Sequence, residues 1–239
     1  MDFKSFVNES INDIGRLKAI FLVGFPGSGK SYTLSKIKSG NIEPRIINTD
    51  RVVEYFGKTK NLDLSVPLEK ALIDKSKILT KEFLFQYLNG ILPLVIDSTS
   101  SNSRNLLLRY GALESIGYDI GVVFINTDLE VALERIKQRE RKVPEDFIRK
   151  THDKISSMKD FYKSKFNFMI EVNNNEGELT DDVILQSFKK VTGFYTSPLK
   201  NPIGQDLIKK MEDKREKYLL PNIIKKDGLM KVVNLWYRD

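Results

Sequence analysis

Short apolar segments alternate with longer amphipathic stretches through most of the chain. Five of these segments are predicted strands, at residues 19–24, 45–50, 92–97, 120–126 and 168–172. Unbroken apolar runs of this kind are typical of strands buried on both faces of a parallel sheet. Because helical patterns separate them, the connections are crossovers that make the strands parallel. The pattern predicts an α/β fold, a five-stranded parallel sheet with helices on both faces.

The amphipathic stretches predict the helices. Apolar residues recur at helical spacing over residues 29–38, 68–89, 103–116, 128–139 and 145–163. Asp128 follows a strand end and is the predicted N-cap of the fourth of these helices. A further helix over residues 180–190 is expected to pack back onto the sheet.

The chain changes character after the last predicted strand. The core pattern stops at the turn-rich residues 173–177, and prolines interrupt the chain from residue 193 onward. A charged helix is predicted over residues 205–218, and residues 229–237 are interpreted as a strand or a docking segment. We therefore predict one domain over residues 1–192 and a C-terminal extension over 193–239, which is a candidate site for a protein partner.

Composition narrows the class of protein. The chain has 239 residues, of which 41% are hydrophobic, and none of its apolar runs approaches the roughly 20 residues of a membrane span. Residues 1–4 lack the apolar centre of a signal peptide, so we expect a soluble cytoplasmic protein without a membrane partner. Zero cysteines exclude disulfides, thiolate zinc sites and a cysteine nucleophile, and the single histidine, His152, excludes a histidine-rich metal site.

The net charge of +7 is concentrated in one segment. Residues 135–165 hold eleven Lys and Arg against five acids, a surplus of +6. A clustered basic surface favours phosphate-rich partners, nucleic acid among them. The alternative is a solvated helix face with no partner.

A phosphate-binding loop is predicted directly after the first strand. Residues 24–31 read G-F-P-G-S-G-K-S and match every fixed position of G-x-x-x-x-G-K-[ST]. Glycines let consecutive backbone N–H groups converge on an anion, and the following helix N-terminus adds its positive field. Lys30 is expected to reach the β- and γ-phosphates and Ser31 to hold Mg²⁺. The candidate nucleotide-binding residues are Gly24, Phe25, Pro26, Gly27, Ser28, Gly29, Lys30, Ser31 and Tyr32. The alternative is an ordinary strand-turn-helix that fits the pattern by chance.

Two carboxylates are expected beside this loop, since ligands bind at the carboxyl ends of parallel strands. Asp97 ends an apolar strand and is a candidate Mg²⁺ ligand opposite Ser31, with capping of the turn at residues 98–101 as the alternative. Asp50 ends the strand after the first helix and is the candidate base that accepts the proton of a hydroxyl acceptor. Its alternative role is an N-cap of a helix over residues 52–56.

Two arginines are the candidate groups for neutralising charge on a transferred phosphoryl group. Arg135 and Arg139 lie four residues apart and share a helix face in the basic segment. We predict that residues 135–150 form a lid that closes over the nucleotide and excludes water. His152 is interpreted as a surface or lid residue, and a catalytic role for it is the less favoured interpretation.

Together, these stretches resemble the small P-loop kinases of the phage polynucleotide kinase and zeta toxin type over about residues 17–175. Residues 24–31 look like the Walker A loop of that group, and residues 48–50 look like its strand end with the catalytic Asp. Residues 94–99 with Asn102 are similar to its second carboxylate motif, and Arg139 before residues 143–144 resembles its lid arginine. The resemblance implies an ATP- and Mg²⁺-dependent phosphotransferase with an alcohol group as acceptor.

The sequence does not decide which molecule accepts the phosphoryl group. Polynucleotide kinases of this type place an arginine three residues after the catalytic Asp, and here that position is Val53. Arg51 in an extended segment would point away from Asp50. The basic segment favours a polynucleotide 5′-hydroxyl, and Val53 argues against it. One alternative is a small-molecule kinase that acts on a nucleotide sugar or nucleoside. Two others are an ATP-gated binding or assembly protein without kinase activity and a protein with a vestigial site.

Overall fold

The computed structural model describes residues 14–37, 42–60, 70–97, 103–138, 143–175, 180–213 and 226–235, and every structural statement below concerns these ranges.

A five-stranded parallel sheet forms the centre of the molecule. Its strands are β1 (Lys18–Val23), β2 (Arg45–Ile47), β3 (Leu94–Asp97), β4 (Asp119–Asn126) and β5 (Met169–Asn173). Their order is β2-β3-β1-β4-β5, and every neighbouring pair is parallel. Since β1 lies in the middle and all its residues are buried, the loop that follows it emerges at the centre of the carboxyl edge. The predicted fold class is confirmed.

Helices connect and cover the strands. The described ranges contain α1 (Lys30–Ile37), α2 (Thr49–Thr59), α3 (Lys70–Asn89), α4 (Ser103–Ser115), α5 (Leu129–Lys137), α6 (Glu145–Ser156), α7 (Lys159–Lys165), α8 (Asp181–Thr196), α9 (Pro202–Asp213) and α10 (Lys226–Leu235). The helix predicted over residues 145–163 is two helices, α6 and α7, with a turn at Ser157 and Met158 between them.

The C-terminal apolar segment is a helix, so the predicted strand is wrong. Leu229, Val232 and Val233 in α10 are buried at a spacing of three and four residues, which matches the helical period rather than the alternation of a strand. They belong to the main core cluster, and α10 packs against α3 and α4. The segment is docked on its own chain.

The predicted domain boundary at residue 192 falls inside α8. Tyr195, beyond that boundary, is buried and its hydroxyl donates to the Leu94 carbonyl at 2.7 Å. Asp119 at the start of β4 accepts hydrogen bonds from the backbone N–H groups of Lys200 and Asn201, both at 2.8 Å. The beginning of the extension is therefore fastened to the sheet. In the described ranges, none of the helices is both long and apolar enough to cross a membrane.

Candidate active site

The loop between β1 and α1 has the backbone conformation of a phosphate-binding loop. Gly27 and Gly29 have φ values of 86° and 89°, in the left-handed region that favours glycine. A Cβ on Gly27 would lie 2.6 Å from the Ala132 carbonyl oxygen of α5, and one on Gly29 would overlap the side-chain amide of Asn174. Glycine is thus required at both positions by conformation and by space.

Lys30 lies across this loop. Its Nζ donates to the carbonyl oxygens of Gly24 at 2.6 Å and Phe25 at 3.1 Å. Because α1 begins at Lys30, the positive end of the helix dipole and the ammonium group act on the same space. The arrangement favours an anion at the mouth of the loop.

Phe25 and Tyr32, two of the predicted nucleotide-binding residues, face different surroundings. The Phe25 side chain is buried in the main core cluster and meets the His152 ring edge-on at a centroid distance of 4.9 Å. Its backbone carbonyl is the part that meets Lys30. Tyr32 is exposed on α1. His152 therefore packs against the loop from α6.

Asp97 ends β3 beside the loop, as predicted. The carboxylate accepts a hydrogen bond from the side-chain amide of Asn48, and the side chains of Lys30, Asp50 and Arg51 all act on it electrostatically. Burial raises the pKa of Asp97 above its ordinary value, while Lys30 and the Asn48 hydrogen bond oppose that rise. The ends of β1, β2 and β3 thus come together.

Asp50 is not at a strand end, so that prediction is wrong. The pairing of β2 with β3 stops at Ile47, and α2 begins at Thr49. The alternative role as an N-cap is also wrong, because Asn48 is the cap and its Oδ1 accepts from the Arg51 N–H at 3.2 Å. Asp50 is an exposed residue in the first turn of α2, where the helix dipole favours a negative charge.

The helical start also changes the position of Arg51. Successive helix residues are about 100° apart, so Arg51 does not point away from Asp50 as it would in an extended segment. It lies in the first turn of α2, with its N–H on Asn48, and its charge lowers the pKa of Asp97. Val53 is 3% exposed and packs into the core.

Arg135 lies beside the loop. It belongs to α5, the helix whose Ala132 carbonyl meets Gly27, and its Nη1 lies 3.8 Å from the Cβ position of Gly29. This nitrogen is buried and has no hydrogen-bond partner within the described part of the chain. Arg139 lies outside the described residues.

The two described ends of the predicted lid, residues 135–150, are packed helices. Ile136 of α5 and Ile148 of α6 are buried in the main core cluster, and residues 139–142 lie outside the described ranges. Arg149 pairs with Glu145 at 2.6 Å and Glu130 at 3.6 Å, so part of the basic segment is neutralised by acids of its own surface.

Comparison of the sequence with protein families decides the family. The model of the AAA_33 family, described as an AAA domain, matches residues 20–163, which is more than half of the chain. The chain belongs to the AAA_33 family. Its fold is that of the P-loop kinases.

Solved structures similar to this AAA_33 protein include the following three. A candidate kinase from Chloroflexus aurantiacus J-10-fl is 15% identical with a TM-score of 0.49, covering 73% of this chain and 96% of its own. The Pnkp1/Rnl/Hen1 RNA repair complex is 21% identical with a TM-score of 0.48, and the match covers 66% of this chain and 48% of that one. Shikimate kinase from Acinetobacter baumannii in complex with shikimate is 15% identical with a TM-score of 0.44, and the match covers 78% of this chain and 95% of that one. None of these likenesses bears on the substrate. No curated protein matches the chain.

The sequence prediction missed two residues that hold the loop of this AAA_33 protein from behind. The Thr127 hydroxyl and the Asn174 side-chain amide both donate to the Ser28 carbonyl oxygen, at 3.0 Å and 2.7 Å. Both residues directly follow strands, β4 and β5, at the edge that carries the loop. That position is the signal in the sequence, but the composition of residues 173–177 indicates only a turn.

The oxygen donors beside the loop fit Mg²⁺. Magnesium is held in phosphate sites by one or two carboxylates with waters and phosphate oxygens. Asp97 and the Ser31 hydroxyl are donors of that kind, whereas the described residues contain no cluster of three or more His, Cys, Asp or Glu side chains that would form an all-protein metal cage. The donor set is that of an ion shared with nucleotide phosphates.

Asp97→Asn is expected to stabilise the protein while it impairs the site. The raised pKa means that the folded state binds the Asp97 proton more tightly than the unfolded state, so stability falls as the pH rises from the ordinary value of 3.8 through the folded pKa. Asparagine keeps an acceptor for Asn48 without the buried charge. The gain in the free energy of unfolding over wild type, measured by urea unfolding from pH 4 to pH 8, should grow with pH. A gain that stays constant with pH would contradict the buried-charge explanation.

Proposed function

We propose that this protein is an ATP- and Mg²⁺-dependent phosphotransferase of the polynucleotide kinase or zeta toxin type, with a polynucleotide 5′-hydroxyl as the favoured acceptor. One observation carries the proposal: Asn48 donates to Asp97 beside the phosphate-binding loop and also caps α2, so the first turn of that helix brings a second carboxylate, Asp50, to the same edge of the sheet. One carboxylate is enough to hold a metal ion at such a loop. The second fits the activation of an acceptor hydroxyl.

The residues divide between donor and acceptor. Lys30 and the loop N–H groups hold the phosphates, Ser31 and Asp97 hold Mg²⁺, and the ion draws charge from the phosphate oxygens when bound. Asp50 accepts the acceptor's proton as the acceptor oxygen bonds to the γ-phosphorus and the bond to the β-phosphate oxygen breaks, releasing ADP. Arg135, and by sequence Arg139, neutralise the charge on the transferred group.

The exposed face of α2 supports a polynucleotide acceptor. Arg51, Tyr55 and Lys58 are exposed at positions i, i+4 and i+7, so they follow one side of α2, the helix whose first turn contains Asp50. Cations that contact phosphates and an aromatic ring on which a base stacks are the usual elements of a single-strand site. Arg51 thereby offers a cation for the acceptor phosphate that Val53 does not provide.

The buried Val53 favours a second candidate. Without the arginine that polynucleotide kinases place there, the surface beside Asp50 also suits an acceptor that lacks a phosphodiester backbone, such as a nucleoside or a nucleotide sugar. In the third hypothesis, an ATP-gated binding or assembly protein, the extension from residue 193 docks on a partner, whereas α10 of that extension is packed on its own core.

Transfer of label from γ-³²P-ATP tests the acceptor. We expect label on an oligonucleotide with a 5′-hydroxyl and none on the same oligonucleotide with a 5′-phosphate. Label only on nucleosides or nucleotide sugars would establish the second candidate. Binding of ATP without any transfer would favour the gated protein.

Arg51→Ala should weaken binding of the oligonucleotide in particular. Loss of one phosphate contact is expected to raise the KM for the oligonucleotide about tenfold and reduce its salt dependence, with the KM for ATP unchanged. Lys60→Ala, at the other end of α2, is the matched control and should leave both KM values unchanged. An equal rise in both KM values for Arg51→Ala would contradict an acceptor role.

A further inference from the structure

Three consecutive asparagines, of which the first is the last residue of β5, connect the phosphate-binding loop to the start of α5. In this asparagine run, residues 173–175, each member makes a different contact. Asn173 Oδ1 accepts from the Asn126 side-chain amide at 3.1 Å, and the Asn174 N–H donates to the Asn126 carbonyl at 2.8 Å. The Asn174 side chain donates to Ser28, and Asn175 Oδ1 accepts from the Asp128 N–H at 2.7 Å.

The contact with Ser28 sets the direction of a loop N–H group. A trans peptide unit is planar, and its C=O and N–H point in opposite directions. Thr127 and Asn174 hold the Ser28 carbonyl oxygen on the side of the β4 and β5 ends. The N–H of the same peptide unit, that of Gly29, is therefore directed to the opposite side. N–H groups held in this way form the anion-binding concavity of a phosphate loop.

The contact with Asp128 fixes the start of α5. Asp128 has the N-cap position of this helix, as predicted, but its side chain makes no capping hydrogen bond. Its backbone N–H is instead bound by Asn175 from the neighbouring strand end. Helix α5 carries both Ala132, which contacts Gly27, and Arg135, which lies beside Gly29. The asparagine run therefore holds the loop and this helix in a fixed relative position.

Gly29 shows how closely the two parts fit. A Cβ at this position would lie inside the Asn174 amide group, and the Arg135 Nη1 is on the same side at 3.8 Å. Asn174 is itself buried, so its amide has no room to shift toward solvent. The amide and the guanidinium therefore lie on the same side of the loop backbone at Gly29.

We propose that Asn174 is a positioning residue of the donor site. Through Ser28 and together with Asn175, it presets the Gly29 N–H and Arg135 for the nucleotide phosphates before the nucleotide arrives. A preset site avoids the cost of ordering these groups on binding. The inference rests on the donor half of the proposed function, the binding of ATP, and is independent of the acceptor.

Titration calorimetry with Mg²⁺-ADP tests this role. Asn174→Ala should weaken binding about fivefold to tenfold, because one of the two donors to Ser28 is lost and the loop must be ordered on binding. Asn174→Asp should weaken it further, since a carboxylate cannot donate to the carbonyl and places a negative charge beside the phosphates. Titrations are made where thermal unfolding shows each variant fully folded.

Tyr118→Phe is the matched control. The buried Tyr118 hydroxyl donates to the Leu92 carbonyl at 3.0 Å, and Tyr118 precedes β4, at the amino edge of the sheet. This variant also loses a buried side-chain-to-carbonyl hydrogen bond, so it should reduce thermal stability without changing the Kd for Mg²⁺-ADP. If Asn174→Ala binds Mg²⁺-ADP as tightly as wild type, or if Tyr118→Phe loses as much affinity, the positioning role is overturned. If wild type itself fails to bind, the proposed function fails instead.

Discussion

Asp50→Asn should lower the rate of phosphoryl transfer by about 10² to 10⁴ while binding of ATP stays intact. Asparagine keeps the size and a hydrogen-bond acceptor of the aspartate but does not take up the proton of the acceptor hydroxyl. Asp50 is exposed in the first turn of α2 and is not part of the loop that holds the phosphates, so its loss falls on the chemical step. Single-turnover transfer at saturating ATP, together with the Kd for Mg²⁺-ATP, measures both effects.

Glu54→Gln provides the control for this variant. Glu54 is exposed one turn further along α2, so the substitution removes the same charge from the same helix without reaching the site. It should leave transfer unchanged. Full activity of Asp50→Asn would refute the role of Asp50 as base. If a partner-binding function then survived Asp50→Ala but not Lys30→Ala, the ATP-gated hypothesis would replace the kinase.

The donor side of the site could be predicted from sequence because its determinants are local. Eight consecutive residues, 24–31, set the loop conformation, and the apolar run before them sets its place on a central strand. Asp97 was predictable for the same reason, since it directly ends a fully buried strand. Backbone geometry and the side chains that use it lie within a few residues of one another.

The acceptor side was mispredicted because two local structures, a longer β2 strand and a capped helix, compete for the same few residues. The apolar residues before Asn48 continue the strand pattern, but an asparagine followed by a helix-compatible segment also caps a helix. Pairing with β3 ends at Ile47, and the cap determines the chain from there. A shift of three residues turns Asp50 from a strand end into a helical residue and brings Arg51 toward the site.

The sequence places Asn174 at a strand end but does not give its contact with the loop, because its partner is distant. Ser28 and Asn174 are separated by 146 positions, and an Asn-rich stretch after a strand is typical of a plain turn. The same holds for α10, whose apolar residues carry no sign of their partners α3 and α4. Ser28 and Asn174 are brought together only by the sheet order, which places β4 and β5 on one side of β1.

Asp119→Asn should cost about 3–5 kcal/mol of stability, the largest effect we expect for a substitution away from the active site. The Lys18 side chain is 3% exposed and its Nζ lies 2.8 Å from Asp119, which is 12% exposed. Lys18 also donates to the Ser197 hydroxyl and the Pro198 carbonyl, at 3.1 Å and 3.2 Å, so it cannot leave without breaking the extension's contacts. Removal of the carboxylate leaves a buried ammonium without its countercharge. Urea unfolding measures the loss, and Tm should fall by roughly 6–20 °C.

Two further variants separate the charge effect from a general loss of packing. Asp206→Asn removes an exposed partner of Lys210 in α9 and should leave the unfolding midpoint unchanged. Lys18→Met in the Asp119→Asn protein should recover most of the loss, because the unpaired charge is gone and the methionine still packs on Phe194, over whose ring the ammonium lies at 5.1 Å. If Lys18→Met did not recover stability, the loss in Asp119→Asn would be due to the hydrogen bonds that Lys200 and Asn201 donate to Asp119, and not to the unpaired charge. Cleavage of the extension by protease would then increase to the same degree in both Asp119→Asn proteins, since the anchor of the extension would be lost in each.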